Sequence, residues 1–449
     1  MKSFSIQINS KIEKFEKKIQ LNSGCKSISH RFFLIASRGT GISKAKNILE
    51  SEDILITIKA LKKLGVRIFK KKNIYYCVGC GLDSFYIKKK TSIYLGNSGS
   101  TARMLAGLLS TFPKKILLKG DRSLNKRDMS RIFQLEKFGA TFYPKNKKNL
   151  PMYITGSELP IADRFTESLG SAQVKSSLIF GALSSYGQTI IHEKFRSRNH
   201  TEIMLKECRA AIKVKKHKKF NIIIIDGKKD YEPLNISIPN DPSSAAFFVV
   251  ITLLSQKSKI KLLNVNINLF RIGLFLILKK MGAKIKFENI KIVNGEKRGD
   301  IIAESSNLKS INCPTSLAPS YIDEAPLAFL CSAKSKGVSI FKGLGELNKK
   351  ESRRLDVCNK ILSEIGIKTK LKKDSIKIWG NPNINIKRTL AFNTFADHRI
   401  AMLCHVIGAT LLSKGKILIK NCETIKTSFP NWFKCLKKIN LKYEVKKKN

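Results

Sequence analysis

One eight-residue phrase recurs along the chain and constrains its fold more than any other feature. Clear copies begin at Leu61, Leu135, Leu278 and Leu362, and read LKKLGVRI, LEKFGATF, LKKMGAKI and LSEIGIKT. In each copy, apolar residues three positions apart lead to a glycine and then to the alternating pattern of a strand. Because glycine readily adopts the left-handed conformation that ends a helix, the phrase predicts a helix, a glycine stop and a strand.

Two further copies are less regular. LKECRAAI from Leu205 and LKKINLKY from Leu436 carry Arg209 and Asn440 in place of the glycine. Asparagine tolerates the left-handed conformation and arginine tolerates it poorly, so we expect the helix before Arg209 to end differently. The six copies begin 74, 70, 73, 84 and 74 residues apart, which exceeds the period of solenoid repeats, about 20–50 residues. The spacing therefore predicts six small α/β units.

Six units divide naturally into two lobes of three. The stretch NISIPNDPSSAAFF near residue 240 has the proline, asparagine and aspartate content of a crossover between lobes. We therefore expect one lobe over residues 25–239 and a second lobe over 1–24 plus 240–449. The predicted fold class is α/β.

Net charge is the most unusual property of the composition. The 449 residues include 85 Lys and Arg against 33 Asp and Glu, a formal net charge of +52. Lysine runs such as 70–72 alternate with apolar segments along the whole chain, which is typical of solvated faces rather than one basic arm. Nucleic-acid binding thus stays a less favoured alternative. The longest apolar run, 245–254, is too short to span a bilayer, which takes about 20 residues.

Cysteine usage indicates a reducing compartment. Ten cysteines stand at irregular spacings, and the N-terminus lacks the apolar core of a secretory signal. We therefore expect a cytoplasmic protein with reduced thiols. Cys77 and Cys80 form a CxxC pair without a second pair at zinc-site spacing, so no metal site is predicted.

Polar helix starts are concentrated in the first half of the chain. LGNSGSTARML (95–105), SAQVKSS (171–177) and SRNHTEIML (197–205) each place small or polar residues before an apolar helix. GDRSLNKRDMSR adds Arg127 and Arg131 near the start of the helix that ends in the second repeat. Since helix N-termini attract anions, their repetition predicts one negatively charged ligand.

Acidic residues stand at three predicted helix starts in the second half, and two of these starts also carry arginines. The segments are SYIDEAPLAFL with Asp323 and Glu324, GLGELNKKESRRL with Lys350 and Glu351, and ADHRIAML. Any single cluster is most simply a surface ion pair. Three of them, opposite a lobe of anion-binding helix ends, predict acid–base chemistry on phosphorylated or carboxylated substrates.

Taken together and in order, the segments resemble the EPSP synthase family, the 3-phosphoshikimate 1-carboxyvinyltransferases. They are GCKSISHR, LGNSGSTARML, GDRSLNKRDMSR, SAQVKSS, SRNHTE, NDPSSAAFF, IDEAP, KKESRRL, DHRIAM and TSFPNWF, and they span about residues 21–440. The resemblance implies a two-lobed inside-out α/β barrel, each lobe built from three βαβαββ units and closing over the substrates. It implies no metal and no organic cofactor.

The implied reaction transfers the enolpyruvyl group of phosphoenolpyruvate to the 5-hydroxyl of 3-phosphoshikimate and releases phosphate, on the route to chorismate and aromatic amino acids. The residues implied to bind 3-phosphoshikimate are Lys26, Ser27, Arg31, Ser171, Ala172, Gln173, Arg198, Asp323 and Lys350. Those implied to bind phosphoenolpyruvate are Lys26, Gly99, Arg127, Gln173, Arg354 and Arg399.

The resemblance also implies three catalytic residues. Asp323 is assigned as the base toward the hydroxyl, Glu351 as the acid–base group at the methylene carbon, and Lys26 as electrostatic partner and proton relay. Neighbouring cations favour an ionised Glu351, so a protonated Glu351 would need a pKa raised by burial or by substrate charge. Cys25 is interpreted as a bystander, and Gly99 is the residue that leaves room for the inhibitor glyphosate.

Three departures from the family pattern alter the expected charge of the site. Asp128 replaces a proline, Asn199 replaces an aspartate, and Arg353 replaces an aspartate. The nearest alternative is the sister enzyme that uses UDP-N-acetylglucosamine, but that enzyme carries a loop cysteine and no cysteine lies in 95–131. We expect a monomer that acts on small molecules, without nucleic-acid or membrane partners.

Overall fold

The chain folds into two compact lobes. The computed structural model describes residues 3–87 and 91–447. The first lobe comprises 24–238 together with 293–296, within the described residues. The second lobe comprises the described residues of 1–23, 239–292 and 297–449.

The strands in chain order are β1 (Phe4–Ile8), β2 (Glu16–Ile19), β3 (Ile42–Lys46), β4 (Ile68–Lys71), β5 (Ile74–Val78), β6 (Thr91–Tyr94), β7 (Ile116–Lys119), β8 (Thr141–Tyr143), β9 (Met152–Thr155), β10 (Arg164–Glu167), β11 (Gln188–Glu193), β12 (Ile212–Lys216), β13 (Asn221–Asp226), β14 (Asn235–Ser237), β15 (Lys259–Asn266), β16 (Lys284–Val293), β17 (Glu296–Glu304), β18 (Gly337–Phe341), β19 (Thr369–Lys372), β20 (Ser375–Gly380), β21 (Leu390–Phe392), β22 (Ile417–Ile419) and β23 (Glu444–Lys447). The α-helices are α1 (Lys26–Ala36), α2 (Glu52–Lys63), α3 (Gly99–Leu109), α4 (Ala172–Leu183), α5 (His200–Glu207), α6 (Pro242–Leu254), α7 (Gly273–Lys280), α8 (Ala318–Tyr321), α9 (Ala325–Ala333), α10 (Arg354–Glu364), α11 (His398–Leu411) and α12 (Trp432–Lys438). Short 3₁₀ helices cover Leu124–Lys126, Ser130–Phe138, Thr315–Leu317, Gly345–Lys349 and Cys422–Thr427.

Each lobe contains three small sheets among the described residues, one for each predicted unit. In the first lobe the strand orders are β14-β3-β5-β4, β6-β7-β9-β8 and β10-β11-β13-β12. In the second lobe they are β16-β17-β15-β2, β18-β20-β19 and β21-β22-β1-β23. Every four-stranded sheet pairs two parallel strands, such as β10 and β11, with antiparallel neighbours. The pattern matches the predicted βαβαββ unit.

One unit departs from the prediction. The sheet β18-β20-β19 has three strands, and the position of its first strand is marked by two isolated parallel bridges, Lys309 with Lys336 and Asn312 with Ile340. Other units include a strand that lies far away in the sequence from the rest of the sheet. Strand β14 pairs in parallel with β3, and β1 pairs antiparallel with β22 and β23. Such closures depend on long-range pairing, which local sequence patterns do not reveal.

The helices that follow the first strand of each unit form the interior of the lobes. Helix α6 has all of its thirteen residues buried, and α9 has all nine buried. A helix that is apolar on every side must be enclosed by protein. Strands such as β3 instead alternate buried and exposed residues, as expected for a sheet with one solvated face. This placement of helices inside and sheets outside confirms the predicted inside-out architecture.

All six repeat phrases end their helices in the left-handed conformation, and this corrects one expectation. Gly65 has a φ of 89° and Asn440 a φ of 64°, as predicted, but Arg209 also adopts a φ of 54°. The amide of Arg209 donates to Lys206 at 3.0 Å, and the next amide donates to Leu205 at 2.9 Å. These helix-ending hydrogen bonds outweigh the steric cost for arginine, about 1–2 kcal/mol.

A second correction concerns the helix predicted after GDRSLNKRDMSR. The segment Ser130–Phe138 is a 3₁₀ helix, and Arg127 lies before it, at the end of the short turn Leu124–Lys126. No described helix is long and apolar enough to cross a bilayer.

Candidate functional site

The GCKSISHR segment forms the start of α1 in the first lobe. Helix α1 begins at Lys26, whose Nζ forms an ion pair with the carboxylate of Asp53. The neighbouring Cys25 is fully buried, and its carbonyl accepts the amide protons of Ile28 and Ser29 at 3.1 and 2.9 Å. The structure therefore places the Lys26 ammonium, 22% exposed, where a ligand can reach it, and places the thiol in the core.

Arg31 lies one turn further along α1 and is almost entirely buried. It donates to the hydroxyls of Thr201 and Ser176 at 2.7 and 2.8 Å, and to the carbonyls of Ser27 and Ala172 at 3.0 and 3.2 Å. These bonds connect α1 with α4 and α5. Arg31 thus links three of the helix starts that the sequence singled out.

The LGNSGSTARML segment forms the start of α3. Ser98 caps the helix by accepting the amide proton of Thr101, and Gly99 is the first helical residue. The guanidinium of Arg127 donates to the side-chain oxygen of Asn97. A Cβ added at Gly99 would lie 3.0 Å from Nη1 of Arg103 and 3.2 Å from Nη1 of Arg127. The glycine therefore leaves space beside two guanidinium groups.

The SAQVKSS segment forms the start of α4, next to α3. Ser171 caps α4, and Gln173 donates to Ser100 Oγ at 2.8 Å while it accepts from Arg103 at 2.8 Å. Gln173 is therefore held by Ser100 and Arg103, both in the first turns of α3 after Gly99. Arg198 is half-buried and lies two residues before α5.

Electrostatics at the start of α1 are positive. His30 is buried, and its Nδ1 lies 2.8 Å from Thr57 Oγ1. Burial, with the charges of Lys26 and Arg31 adding to it, lowers the pKa of His30 well below its ordinary value. A neutral histidine beside two cations is consistent with a site that attracts anions.

In the second lobe, Arg354 organises a separate cluster of carboxylates. It is buried at the first position of α10 and donates from Nε to Asp397 at 2.8 Å and from Nη2 to the same carboxylate at 3.2 Å. It also forms an ion pair with Glu351, and its Nη1 lies 3.7 Å from Asp323. The bidentate geometry is the strongest form of an arginine–carboxylate contact.

Lys350 and Arg399 extend this cluster. Nζ of Lys350 lies 3.2 Å from Oδ1 of Asp323. Nη1 of Arg399 donates to the Asp323 carbonyl at 3.0 Å and to Glu324 at 3.1 Å. All five predicted residues of this lobe, Asp323, Lys350, Glu351, Arg354 and Arg399, therefore belong to one connected network.

Burial and charge act in opposite directions inside this network. Burial alone would lower the pKa of Arg354, but the carboxylates of Asp397, Glu351 and Asp323 raise it above its ordinary value. Burial likewise would raise the pKa of Asp397, but the charge of Arg354 lowers it. The pair is thus fixed in its ionised form.

Asp397 is a site residue that the sequence did not assign to a role. It is fully buried, caps α11 through the Arg399 amide at 2.9 Å, and accepts from Ser352 Oγ at 2.9 Å besides binding Arg354. A carboxylate at a helix start was visible in ADHRIAML, but its partner lies 43 residues away in the sequence. Only the fold brings the two together.

Comparison with known proteins decides the family. A sequence profile described as EPSP synthase (3-phosphoshikimate 1-carboxyvinyltransferase) matches residues 10–436. The chain belongs to the EPSP synthase family. The 3-phosphoshikimate 1-carboxyvinyltransferase of Zymomonas mobilis is 36% identical over 427 residues, which cover 94% of this chain and 94% of that protein.

Solved structures agree with this family. The EPSP synthase of Acinetobacter baumannii has a TM-score of 0.84 at 33% identity and covers 98% of this chain and 99% of its own. The enolpyruvyl transferase NikO from Streptomyces tendae has a TM-score of 0.76 at 11% identity over 100% of both chains, which shows the fold alone. These similarities favour neither the UDP-N-acetylglucosamine alternative nor nucleic-acid binding.

The departures from the EPSP synthase pattern have simple local surroundings. The Arg353 side chain is 74% exposed and pairs with Asp356 at 2.6 Å. The carboxylate of Asp128 accepts the Ser130 amide at 2.8 Å, and Asn199 precedes α5 as its N-cap residue. Arg353 therefore joins a surface ion pair. Within residues 3–87 and 91–447, no cluster of three His, Cys, Asp or Glu side chains could hold a metal ion.

Proposed function

We propose that this protein transfers the enolpyruvyl group of phosphoenolpyruvate to the 5-hydroxyl of 3-phosphoshikimate, giving 5-enolpyruvylshikimate 3-phosphate and phosphate. The observation that carries the proposal is the family match over residues 10–436, which includes every motif that forms the two clusters. The relative from Zymomonas mobilis is named for this carboxyvinyl transfer.

The first-lobe residues are proposed to bind the anionic groups of the substrates. Lys26, Ser27, Arg31, Ser171, Ala172, Gln173 and Arg198 would bind 3-phosphoshikimate, and Asp323 and Lys350 of the second lobe would contact its ring hydroxyls. Lys26, Gly99, Arg127, Gln173, Arg354 and Arg399 would bind phosphoenolpyruvate. Forked guanidinium groups suit both its phosphate and its carboxylate, which supports the assignment of three arginines to this substrate.

The first chemical step is proposed to be an addition. The 5-hydroxyl oxygen attacks C2 of phosphoenolpyruvate and loses its proton to Asp323, while the methylene carbon C3 gains a proton from Glu351. The negative charge of the bound phosphoenolpyruvate would keep Glu351 protonated beside Arg354 before this step. The ion pairs of Asp323 with Lys350 and Arg354 support an ionised carboxylate that can accept this proton. Lys26 stabilises the negative charge and relays protons.

The second step is proposed to be an elimination. Glu351 removes a proton from the methyl group of the tetrahedral intermediate, the C3–C2 double bond forms again, and the bond from C2 to the phosphate oxygen breaks. The leaving phosphate takes up the proton that Asp323 accepted in the first step. Glu351 touches Arg354, which is predicted to bind phosphoenolpyruvate, and this proximity supports its role at C3. The same carboxyl group can donate in one step and accept in the other.

The protein is further proposed to act as a monomer in the cytoplasm. Nine of the ten cysteines are buried. A chain with so many cysteines at irregular spacings suits a reducing compartment.

The test is phosphate release from phosphoenolpyruvate by the purified full-length chain with one of two acceptors. We expect release with 3-phosphoshikimate and none above background with UDP-N-acetylglucosamine. Release with UDP-N-acetylglucosamine alone would contradict the proposal. A chain inactivated by Lys26→Ala provides the background control.

A further inference from the structure

A buried ionic cluster lies beside the predicted binding residues of the first lobe. Nζ of Lys175 on α4 lies 2.7 Å from Oε1 of Glu193, at the end of β11, and 2.7 Å from Oε1 of Glu202 on α5. The exposed fractions of these residues are 0%, 0% and 4%. Buried ion pairs contribute little net stability compared with apolar packing, because their desolvation is costly. The cluster therefore calls for a role other than stability.

Glutamates at the ends of two neighbouring strands hold the loops that follow them. Oε1 of Glu193 accepts the amide of Ser197 at 2.9 Å and its hydroxyl at 2.7 Å. Glu167 at the end of β10 accepts the amides of Leu169 and Ser171, both at 3.1 Å. The two glutamates are register partners in parallel strands, and each binds the amide four residues ahead. The same hydrogen bond, from a strand-end glutamate to the amide four residues ahead, thus holds two successive loops.

These loops carry the residues assigned to 3-phosphoshikimate. Ser171 precedes Ala172 and Gln173, and Ser197 precedes Arg198. Lys175 stands four residues after Ser171 on α4 and binds the carboxylate that holds Ser197. The cluster therefore connects the segment before α4 with the segment before α5.

We propose that Lys175 is a positioning residue for 3-phosphoshikimate, acting through Glu193 and Glu202 on the two binding segments. This inference rests on the proposed function. Lys175 does not touch the substrate. It holds the backbone at Ser197 so that Arg198 keeps its distance from Ser171 and Gln173.

Protonation of the cluster is consistent with this role. Burial would lower the pKa of Lys175, but the Glu202 and Glu193 charges raise it above its ordinary value. Burial would raise the pKa of Glu193, but Lys175 lowers it, whereas burial leaves the pKa of Glu202 raised. The pKa shifts of Lys175 and Glu193 thus favour the charged form of both groups, and it is Glu193 that binds the Arg198 segment.

The test is the change in KM for each substrate in Lys175→Met. The substitution removes the cation and keeps the apolar stem, so Glu193 loses the charge that orients it. We expect KM for 3-phosphoshikimate to rise about tenfold or more, with KM for phosphoenolpyruvate changing by about threefold or less. Calorimetric titration with 3-phosphoshikimate should show the same loss of affinity.

Arg38→Met is the matched control. Arg38 is equally buried but donates to Ser184, which follows the C-terminal end of α4, about 16 Å along the helix from Gln173. Removing this cation should lower the free energy of unfolding without a selective rise in KM for 3-phosphoshikimate. A similar selective rise in Arg38→Met would overturn the proposal, because it would show a general effect of destabilising the lobe.

Ser197→Ala keeps the proposal testable if Lys175→Met does not fold. It removes only the hydroxyl bond to Glu193, and we expect KM for 3-phosphoshikimate to rise about threefold to tenfold. An equal rise in KM for both substrates, or no rise, would overturn the proposal. Turnover by the wild-type chain tests the proposed function separately. The role of Lys175 is tested by the ratio of KM in each variant to KM in the wild type.

Discussion

The two lobes hold the buried arginines Arg31 and Arg354 in different ways, although the first lobe also contains ion pairs such as that of Lys26 with Asp53. In the first lobe, Arg31 donates to hydroxyls and backbone carbonyls, and Arg127 donates to an amide oxygen. In the second lobe, Arg354 contacts three carboxylates. Neutral oxygens position a cation without cancelling its charge, whereas carboxylates neutralise it. Arg31 thus lies among neutral oxygens, whereas Arg354 lies among carboxylates that can exchange protons.

Titratable groups report the same contrast. Burial, with Lys26 and Arg31, lowers the pKa of His30 in the first lobe. In the second lobe, the carboxylates overcome burial and raise the pKa of Arg354. The charges that act on His30 are therefore positive, and those that act on Arg354 are negative. Variants that remove single charges from each cluster test this contrast.

The largest effect is expected for Lys26→Ala. Its loss removes a charge that the reaction uses, and we expect kcat/KM to fall about a thousandfold in a steady-state assay of phosphate release. Cys25→Ser is the control, because the thiol is buried beside Lys26, and it should keep kcat/KM within about threefold of wild type. Comparable losses in both variants would show that Cys25 is not a bystander.

Asp397→Asn should have the next largest effect. The variant leaves Arg354 buried without its bidentate carboxylate, so we expect kcat/KM for phosphoenolpyruvate to fall about a hundredfold and the free energy of unfolding to fall by about 3 kcal/mol. Urea titrations measure the stability change. Asp356→Asn, at the exposed pair with Arg353, is the control and should cost less than about 1 kcal/mol.

The contribution of Asp397 to the free energy of unfolding should depend on pH in a defined direction. Its pKa is lowered in the folded chain, so the stabilisation is complete above about pH 4, the range of an unperturbed aspartate. It is lost as pH falls through the lower folded-state pKa. The difference in unfolding free energy between wild type and Asp397→Asn should therefore be constant from neutral pH to about pH 5 and shrink in stronger acid. A difference that grows in acid would contradict the assignment.

Gly99→Ala tests the space at the start of α3. The added Cβ would lie 3.0 Å from Arg103 and 3.2 Å from Arg127, close enough to displace their guanidinium groups. We expect KM for phosphoenolpyruvate to rise about tenfold, and the inhibition constant of glyphosate to rise more steeply. Wild-type turnover that is unimpaired in millimolar glyphosate would contradict the role given to Gly99.

The smallest effect is expected for Arg353→Asp, which restores the residue typical of the family. The Arg353 side chain is 74% exposed and forms a surface ion pair. Surface pairs contribute about 0–1 kcal/mol, so KM for either substrate should change by about twofold or less. A larger improvement in KM would show that this arginine lowers substrate affinity in the native chain.

Local patterns in the sequence were sufficient to predict the repeated units and the helix starts. The repeat phrase predicts six helix ends because each depends on a few adjacent residues. The exception, Arg209, shows that hydrogen bonds at a helix end can impose a conformation that the residue itself disfavours. The 3₁₀ helix at Ser130–Phe138 was also missed, since its apolar spacing resembles that of an α-helix.

Sheet neighbours and ion-pair partners could not be predicted from the sequence, because they depend on residues that lie far apart in the chain. Strand β14 closes the first sheet from about 190 residues away, and no local pattern marks it as the neighbour of β3. The partners of Arg354 and Lys175 were missed for the same reason, although both side chains lie within recognised motifs. The motifs indicate which side chains belong to the site, but only the fold shows which residues form ion pairs with them.

The most direct test of the account is deuterium incorporation during turnover in D₂O. If Glu351 protonates the methylene carbon in the addition, proton NMR should show deuterium in the enolpyruvyl methylene of the product. Glu351→Gln should lower the turnover rate about a hundredfold or more while both substrates still bind. A product with a fully protiated methylene, formed at the wild-type rate, would contradict an addition and elimination carried by the second lobe.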